Sequence, residues 1–418
     1  MISTALHRRL GIAAGPIDGA LLDAAIDTRL AEAVDLDFKA RLPEARDVKD
    51  SDFPKDVAAM ANSGGGLIVY GVAESGKSAA GRCDAGELTE HHERTLRAVA
   101  ASAIRPPVFF TVHRVDSEPL RAVAIEVHPS PETPHLVFKN HFFGAPLRND
   151  ADTQWMSEAQ LASAYRARID GQRRRLALLS ELFDQTRDDW IDDRNATMVL
   201  VARPDTDART TDRASRELAS SAFTSAALLA RRIAPGDSDF RPLAARTKTL
   251  RRGLRRWVGV NGRVADDNRW SAAWSAVHDD GAVSMAAVVG GHPLPGGRLS
   301  GATHIDSAAI ETALSDFLAL VRLWGERRGV FTYELEIGIE RLNGKPLVIR
   351  TVDGQGAPYD GASMPLRAYS RVRTAIDVAT HDERFRADLW ELAEDCVNQG
   401  GIVELRRIEE VERAGTRS

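Results

Sequence analysis

The sequence has few of the residues from which proteins build covalent or metal cross-links. Only two cysteines occur among 418 residues, Cys83 and Cys396. Two cysteines alone form neither a disulfide framework nor a thiolate zinc site, so the chain must fold by burying apolar surface. The scarcity of cysteine predicts a protein of the reducing cytoplasm.

Long apolar runs and a strong charge of one sign are also missing. No apolar segment reaches the roughly 18 residues of a transmembrane candidate, and the N-terminus lacks the apolar core of a signal peptide. We therefore expect no membrane partner. The net charge is −5, from 55 Lys+Arg and 60 Asp+Glu. Such a chain cannot hold nucleic acid by bulk attraction, so any nucleic-acid contact requires a local basic patch.

Hydrophobic periodicity predicts mixed helices and strands in the first part of the chain. The predicted helices cover residues 17–30, 54–62, 87–104 and about 157–184. The predicted strands cover residues 34–39 and 67–72, and a hairpin covers residues 108–127. In 34–39 apolar and charged residues alternate, which predicts a half-buried strand with its charges on a solvated face.

The second half of the sequence is harder to interpret. Strands are predicted from Met198, on both sides of the turn Asp279-Asp280-Gly281, and as a hairpin around Asn343-Gly344. Helices are predicted over residues 212–234, 307–328 and 382–398, the second of which has a clear apolar stripe.

Together these patterns predict an α+β protein with two main domains. We expect an N-terminal helical extension at 1–29, a mixed α/β domain at 30–165, a connector helix at 166–185 and an α+β domain of unknown function at 186–418.

A series of short motifs lies between residues 30 and 165. They are Glu32 followed by Asp37-Phe38-Lys39, then Ala61-Asn62-Ser63-Gly64-Gly65, then the apolar run to Gly71-Val72, then Glu74 and Gly76, and finally Arg148 and Thr153. In this order and spacing the segment resembles the Schlafen-type AlbA-like family. The resemblance implies a mixed α/β fold and a nucleic-acid partner, either DNA or RNA.

In the ribonuclease members of that family, three carboxylates bind a divalent metal and cleave structured RNA such as tRNA. The resemblance assigns these roles to Glu32, Asp37 and Glu74, with Mg²⁺ or Mn²⁺ as the cofactor. Lys39 would then neutralise a phosphate oxygen. Two positions depart from the family pattern, since Asp37 replaces a glutamate and Ala73-Glu74 replaces the usual aspartate. Both changes move a carboxylate, so they put catalysis in doubt more than the fold.

Strand geometry limits this assignment. Residues 32 and 37 are an odd number apart, so a continuous strand would point them to opposite faces. The triad forms only if the chain bends between them. Without the resemblance, Asp35 and Asp37 are the natural same-face pair, on the solvated face of an edge strand.

A second motif, Gly71-Val-Ala-Glu-Ser-Gly76-Lys77-Ser78, satisfies the P-loop pattern. A P-loop also requires a helix that begins at the Lys-Ser pair. The sequence that follows has glycine at 81 and 86, where that helix would lie, and in the related family this segment is a turn between strands. ATP binding through Gly71, Gly76, Lys77 and Ser78 is therefore the weakest of the hypotheses.

The densest basic stretch lies in the second half. Its residues are Arg246, Lys248, Arg251, Arg252, Arg255 and Arg256, followed by Trp257. On a helix they would form a cationic face beside a ring that stacks on a base, and Arg148 would add a contact from the first domain. The alternative is a solvated helix whose arginines pair with acidic residues.

Three hypotheses about function follow from the sequence. The first is a cytoplasmic, bacterial-style Schlafen-like protein that binds RNA or DNA and cleaves structured RNA. The second is a non-catalytic nucleic-acid-binding regulator. The third is an ATP-binding module.

The segment from Asn62 to Gly66 has two possible interpretations. It could cradle a phosphate, or it could form a helix C-cap and tight turn.

Overall fold

The structure, a computed structural model, describes residues 4–115, 120–139, 142–192, 194–205, 213–235, 241–243, 250–261, 272–294, 299–342, 344–352, 357–359, 361 and 363–410. The chain divides into two compact units, Met1–Arg174 and Arg175–Ser418. Both contain helices and sheets, so the predicted α+β class is confirmed. In the described part of the chain no helix combines the length and apolarity needed to cross a membrane.

The N-terminal unit alternates helices and short strands. Its helices are α1 (Ala5–Leu10), α2 (Gly19–Asp27), α3 (Phe53–Asn62), α4 (Glu90–Ala103) and the first part of α5 (Glu158–Trp190). Its strands are β1 (Leu36–Lys39), β2 (Gly66–Tyr70), β3 (Val72–Glu74), β4 (Ala79–Arg82), β5 (Ile104–Arg105), β6 (Phe110–Val115), β7 (Ala122–Val127), β8 (Leu136–Lys139), β9 (Phe142–Gly144), β10 (Pro146–Asn149) and β11 (Asp152–Trp155).

A four-stranded mixed sheet with the order β1-β2-β7-β6 forms the centre of this unit. Strand β1 runs parallel to β2, and the other pairs are antiparallel. Helices α3 and α4 pack on one face, and α1 and α2 pack on the other. Because both faces are covered, β2 is apolar on both sides, which explains its unbroken run of Leu67, Ile68 and Val69.

The two-sided covering corrects one sequence prediction. The alternation in 34–39 predicted charges on a solvated face, but Asp37 is only 1% exposed. It points to the α3 side of the sheet, opposite the face that buries Leu36 and Phe38. The strand does lie at the edge of its sheet, but Asp37 is buried on the α3 side, while the side chain of Lys39 remains 37% exposed.

The C-terminal unit is built on a seven-stranded antiparallel sheet with the order β13-β14-β15-β16-β12-β18-β21. The strands of this unit are β12 (Thr197–Pro204), β13 (Arg251–Gly253), β14 (Arg256–Asn261), β15 (Ala273–His278), β16 (Val283–Val288), β17 (His304–Asp306), β18 (Thr332–Glu340), β19 (Val348–Val352), β20 (Pro358–Tyr359) and β21 (Val372–Asp377). Its helices are α6 (Arg216–Ile233), α7 (Ser307–Arg328) and α8 (Asp382–Asn398).

Helices α6, α7 and α8 share one large core with this sheet, and the second part of α5 packs on the other face. Helix α7 is buried along most of its length. Its ends match ordinary capping rules: Asp306 accepts a hydrogen bond from the Ala308 N–H at 2.9 Å, and Gly329 ends the helix with φ +67°. The predicted bounds of α7 and α8 are confirmed.

Two predictions for this unit are wrong. The strands beside Asn343-Gly344 do not form a hairpin, because β18 pairs with β12 and β21, and β19 pairs with β17 and β20. A turn signal indicates where a chain reverses and not which strand it joins. The helix predicted through the basic stretch is also wrong from Arg251 onward, where β13 and β14 form a hairpin. The β-branched Val258 and Val260 suit a strand, and the arginines had no apolar helical stripe to support them.

Candidate functional site

A cluster of carboxylates and cations lies beside β1, at the positions of the proposed triad. Asp37, on β1, is held from two sides. Its Oδ1 accepts a hydrogen bond from Arg148 Nη1 at 3.1 Å, and its Oδ2 lies 2.8 Å from Lys39 Nζ. Arg148 is itself buried and also donates to the backbone oxygen of Ala33. Each oxygen of Asp37 therefore lies at ion-pair distance from a cation of this chain, and Oδ2 receives no hydrogen bond from the described residues.

Glu32 reaches the same cluster because the chain bends before β1, as the spacing of the triad required. Residues 33 and 36 exchange backbone hydrogen bonds, which turns the chain back on itself. Glu32 Oε1 then accepts the N–H of Phe38 at 2.8 Å. Burial raises the pKa of Glu32 to about 7, and the charges of Asp37 and Glu74 add to this rise.

Asp56, on α3, is a further carboxylate of the cluster. The sequence patterns did not predict it as a site residue. Its Oδ2 lies 3.8 Å from Lys39 Nζ, and it is 5% exposed. Burial raises its pKa to about 6 in spite of the lysine. In the sequence it was an acid in the first turn of a helix, which is common at such positions and signals no site.

The residues present do not fit the divalent metal that the family resemblance implies. A hard cation requires several free carboxylate oxygens in one place. Here Lys39 and Arg148 pair with Asp37, while Glu32 Oε1 accepts the N–H of Phe38. Among the residues that the structure describes, no three His, Cys, Asp or Glu side chains are grouped to hold a metal ion.

The segment Asn62 to Gly66 fixes the strands around this cluster. Asn62 Nδ2 donates to the backbone oxygens of His135 and Pro146, and its Oδ1 accepts the N–H of His135 at 2.7 Å. Ser63 Oγ accepts the N–H of Arg148 at 2.9 Å. Gly65 has φ +86°, and a Cβ there would lie 2.7 Å from the oxygen of Val127. The segment is thus a helix end and tight turn whose polar side chains bind the protein itself.

The P-loop-like segment forms a β-hairpin. Strand β3 ends at Glu74, the turn contains Gly76 and Lys77, and β4 begins directly after Ser78. Lys77 Nζ lies 2.5 Å from Asp152 Oδ1. A P-loop requires a helix N-terminus at this point to hold the phosphates. The P-loop interpretation of Gly71 to Ser78 is therefore wrong, and the turn between strands implied by the family resemblance is what forms.

The arginines of the C-terminal unit lie on the β13–β14 hairpin. Arg252 pairs with Asp279 at 2.5 Å and lies over the ring of Trp257. Arg256 pairs with Asp189 at 3.0 Å. Trp257 is half-buried and donates its Nε1–H to the oxygen of Ala214. These groups are thus largely satisfied within the unit.

Two other arginines of the hairpin, Arg251 and Arg255, are exposed, and no carboxylate among the described residues pairs with either. Arg246 and Lys248, which the basic stretch also includes, lie outside the described residues. Arg148, the proposed nucleic-acid contact of the first domain, is 6% exposed and bound to Asp37. The structure thus brings Glu32, Asp37, Lys39 and Glu74 together and leaves Arg251 and Arg255 open to solvent.

Comparison with known proteins agrees with the motifs. Residues 32–157 match the family model described as Schlafen, AlbA_2, and this part of the chain is a Schlafen AlbA-like domain. No protein of curated function matches the chain.

Two solved structures are similar to part of the chain. The crystal structure of the DIP2311 protein from Corynebacterium diphtheriae shares 19% sequence identity over 36% of this chain and 29% of its own, with a TM-score of 0.25. A solution NMR structure from Nitrosomonas europaea shares 18% identity over 33% of this chain and 93% of its own, also with a TM-score of 0.25. It is the N-terminal domain of a protein named as related to the ATP-dependent DNA helicase RecG.

Proposed function

We propose that this protein binds RNA or DNA through its Schlafen AlbA-like domain, and that it does so without metal-dependent cleavage. The family match over residues 32–157 supports a nucleic-acid partner. The absence of metal-dependent cleavage is proposed because Arg148 and Lys39 form ion pairs with the two oxygens of Asp37. A carboxylate that is already neutralised on both oxygens is a poor ligand for a divalent ion, because the metal would have to displace two cations.

The C-terminal hairpin supplies a second contact in this proposal. Arg251 and Arg255 are exposed and free of carboxylate partners among the described residues, so their guanidinium groups can reach phosphates. Arg252 and Arg256 are paired with acids and hold the hairpin in place. Since the whole chain has a charge of −5, such local cations must provide the attraction.

Metal-dependent cleavage of structured RNA such as tRNA, with Mg²⁺ or Mn²⁺, is the second candidate. One observation favours it: the three carboxylates assigned by the family resemblance lie near one another, since the charges of Asp37 and Glu74 both raise the pKa of Glu32. This candidate requires the metal to replace Lys39 and Arg148 at Asp37.

A binding and cleavage assay separates the two candidates. Labelled tRNA, single-stranded RNA and duplex DNA are titrated with the purified full chain, in Mn²⁺ and in chelator. We expect equal binding in both solutions and intact RNA after long incubation. Cleavage that needs Mn²⁺ and disappears in Glu74→Gln would establish the second candidate instead. No binding to any of these nucleic acids would reject both.

The hairpin contact is tested by the salt dependence of binding. In Arg251→Ala/Arg255→Ala, each lost phosphate contact should lower the slope of log K against log salt by about 1. A control of equal charge is Arg384→Ala/Arg386→Ala, which removes two exposed cations from α8, of which Arg384 pairs with Asp388 at 2.9 Å. Equal slopes for the two double variants would show that the hairpin makes no phosphate contact.

A further inference from the structure

The small sheet β5-β8-β9 of the N-terminal unit has one buried face and one open face. Ile104 and Val137 are opposite each other and are buried in the core of the unit. Residues that are directly opposite in an antiparallel pair share a face, and neighbours along a strand alternate. The other face therefore carries Arg105 with Leu136, and Phe138 with Phe143. We call these four residues the aromatic face.

Its two phenylalanine rings are stacked on each other and exposed. The ring centroids of Phe138 and Phe143 are 5.7 Å apart, with an angle of 26° between the ring planes. Phe138 is 46% exposed and Phe143 is 63% exposed. Two exposed rings side by side offer a flat apolar surface on which planar groups can stack.

A guanidinium group accompanies the rings. Arg105, opposite Leu136, donates from Nη1 to the backbone oxygens of Ala101 and Ile104. These bonds restrain the guanidinium near the end of α4. No carboxylate among the described residues pairs with Arg105, and the residue is exposed. The face thus combines flat rings, which accept stacking bases, with a cation suited to a phosphate.

The size of the apolar surface argues against a protein partner. An aromatic side chain can bury about 150–250 Å², so two partly exposed rings offer roughly 200 Å² in total. A stable protein interface buries about 800 Å² on each partner. One or two nucleotide bases, in contrast, fit a surface of this size.

We propose that the aromatic face binds single-stranded nucleic acid by stacking unpaired bases on Phe138 and Phe143, with Arg105 contacting the neighbouring phosphate. This inference rests on the proposed nucleic-acid-binding function and adds the form of the substrate. A duplex keeps its bases stacked on each other, so it cannot offer them to the rings. The protein therefore selects single strands, loops or ends over perfect duplexes.

Fluorescence anisotropy with a labelled pyrimidine-rich strand, and with the same strand in a duplex, tests the proposal on the full chain. We expect Phe138→Ala/Phe143→Ala to weaken single-strand binding about tenfold for each ring, or about 100-fold in total, and to leave duplex binding unchanged. Phe143→Tyr keeps the ring and should stay within about twofold of the unaltered protein. The control Phe331→Ala removes a ring that is 43% exposed in the other unit, and should have no effect.

The outcomes are distinguishable. A double variant with unchanged melting temperature and unchanged single-strand binding overturns the proposal while the proposed function stands. If the unaltered protein binds neither strand form, both fail. If sedimentation shows self-association that the double variant abolishes, with single-strand binding intact, the face is a contact between copies of this chain and the proposal is wrong.

Discussion

Each unit of this protein buries a carboxylate between two cations, and the two clusters differ in their balance of charge. In the N-terminal unit Asp37 lies between Arg148 and Lys39. In the C-terminal unit Glu336, fully buried on β18, lies between Arg371 at 3.0 Å and Arg373 at 3.1 Å.

The C-terminal cluster is balanced. Arg371 also contacts Asp184 and Glu340, Arg187 pairs with Asp184, and Ser180 donates to Glu336. Charges of opposite sign are thus matched along the cluster. The guanidinium of Arg371 also lies 3.9 Å from the ring centroid of Phe183. Such an arrangement stabilises the attachment of α5 to its sheet.

The N-terminal cluster has a surplus of acid. Beside Asp37 it contains Glu32, Asp56 and Glu74, while the cations that form ion pairs with these carboxylates among the described residues are Lys39 and Arg148, and Lys55 acts on Asp56 without an ion pair. Burial raises the pKa values of Glu32 and Asp56, and the neighbouring carboxylates add to the rise. Carboxyl groups kept partly protonated near neutral pH cost stability, and they are typical of functional sites. The comparison therefore separates a structural cluster from a candidate functional one.

Removal of Arg148 should have the largest effect. Arg148→Met leaves the buried Asp37 with Lys39 alone, so we expect a loss of about 3–5 kcal/mol in the free energy of unfolding and a melting temperature lower by about 10 °C. Asp37→Leu/Arg148→Met removes both charges and should recover most of this loss, because a buried pair replaced by apolar groups is close to neutral. A double variant as unstable as the single one would contradict the ion-pair explanation.

Neutralisation of Glu336 should have a smaller effect. Glu336→Gln keeps the shape but replaces one accepting oxygen with an NH2 donor. The side chains of Arg371 and Arg373 are 29% and 49% exposed, so water can solvate them. We expect a loss of about 1–2 kcal/mol, measured by calorimetry on the full chain. A loss larger than that of Arg148→Met would reverse the comparison.

The pH dependence of stability should reveal the raised pKa of Glu32. The folded chain holds the Glu32 proton at a pKa of about 7, against 4.5 for an ordinary glutamate, so unfolding releases a proton between these values and stability falls as the pH rises through them. Glu32→Gln should remove this part of the fall. We expect its melting temperature at pH 8, relative to pH 5, to lie about 2–4 °C higher than that of the unaltered protein, or about 1 kcal/mol.

Asp56 is still present in the Glu32→Gln variant. Its raised pKa also makes the stability of the fold decrease as the pH rises to about 6. Glu44→Gln, at an exposed glutamate, is the matched control and should leave the pH profile unchanged. An identical profile for Glu32→Gln and the unaltered protein would show that Glu32 titrates normally.

Local sequence patterns predicted where helices lie better than they predicted which side chains are buried. The apolar stripe of 307–328 defines α7, because helix periodicity is a property of consecutive residues. The burial of Asp37 was not predictable in this way, since it depends on α3 and on Arg148, which lies 111 residues away. The same distance in sequence explains why Arg148 was predicted to contact nucleic acid.

Motif order, in contrast, did group Glu32, Asp37 and Glu74, which periodicity alone would have kept apart. It could not show that two cations already engage Asp37. The aromatic face was missed for a related reason: Arg105 and Phe138 belong to strands whose pairing is set by the fold. The local signal in the sequence was the presence of three phenylalanines between residues 138 and 143.

The hydrogen bonds of Asn62 and Ser63 have a consequence for how such chains are recognised. These two residues belong to the motif by which the domain can be identified, yet their side chains are used to join α3 to His135, Pro146 and Arg148. A search that finds this motif therefore detects an architecture and is silent about chemistry. In this chain the chemistry of the cluster depends on the cations that surround Asp37 on β1.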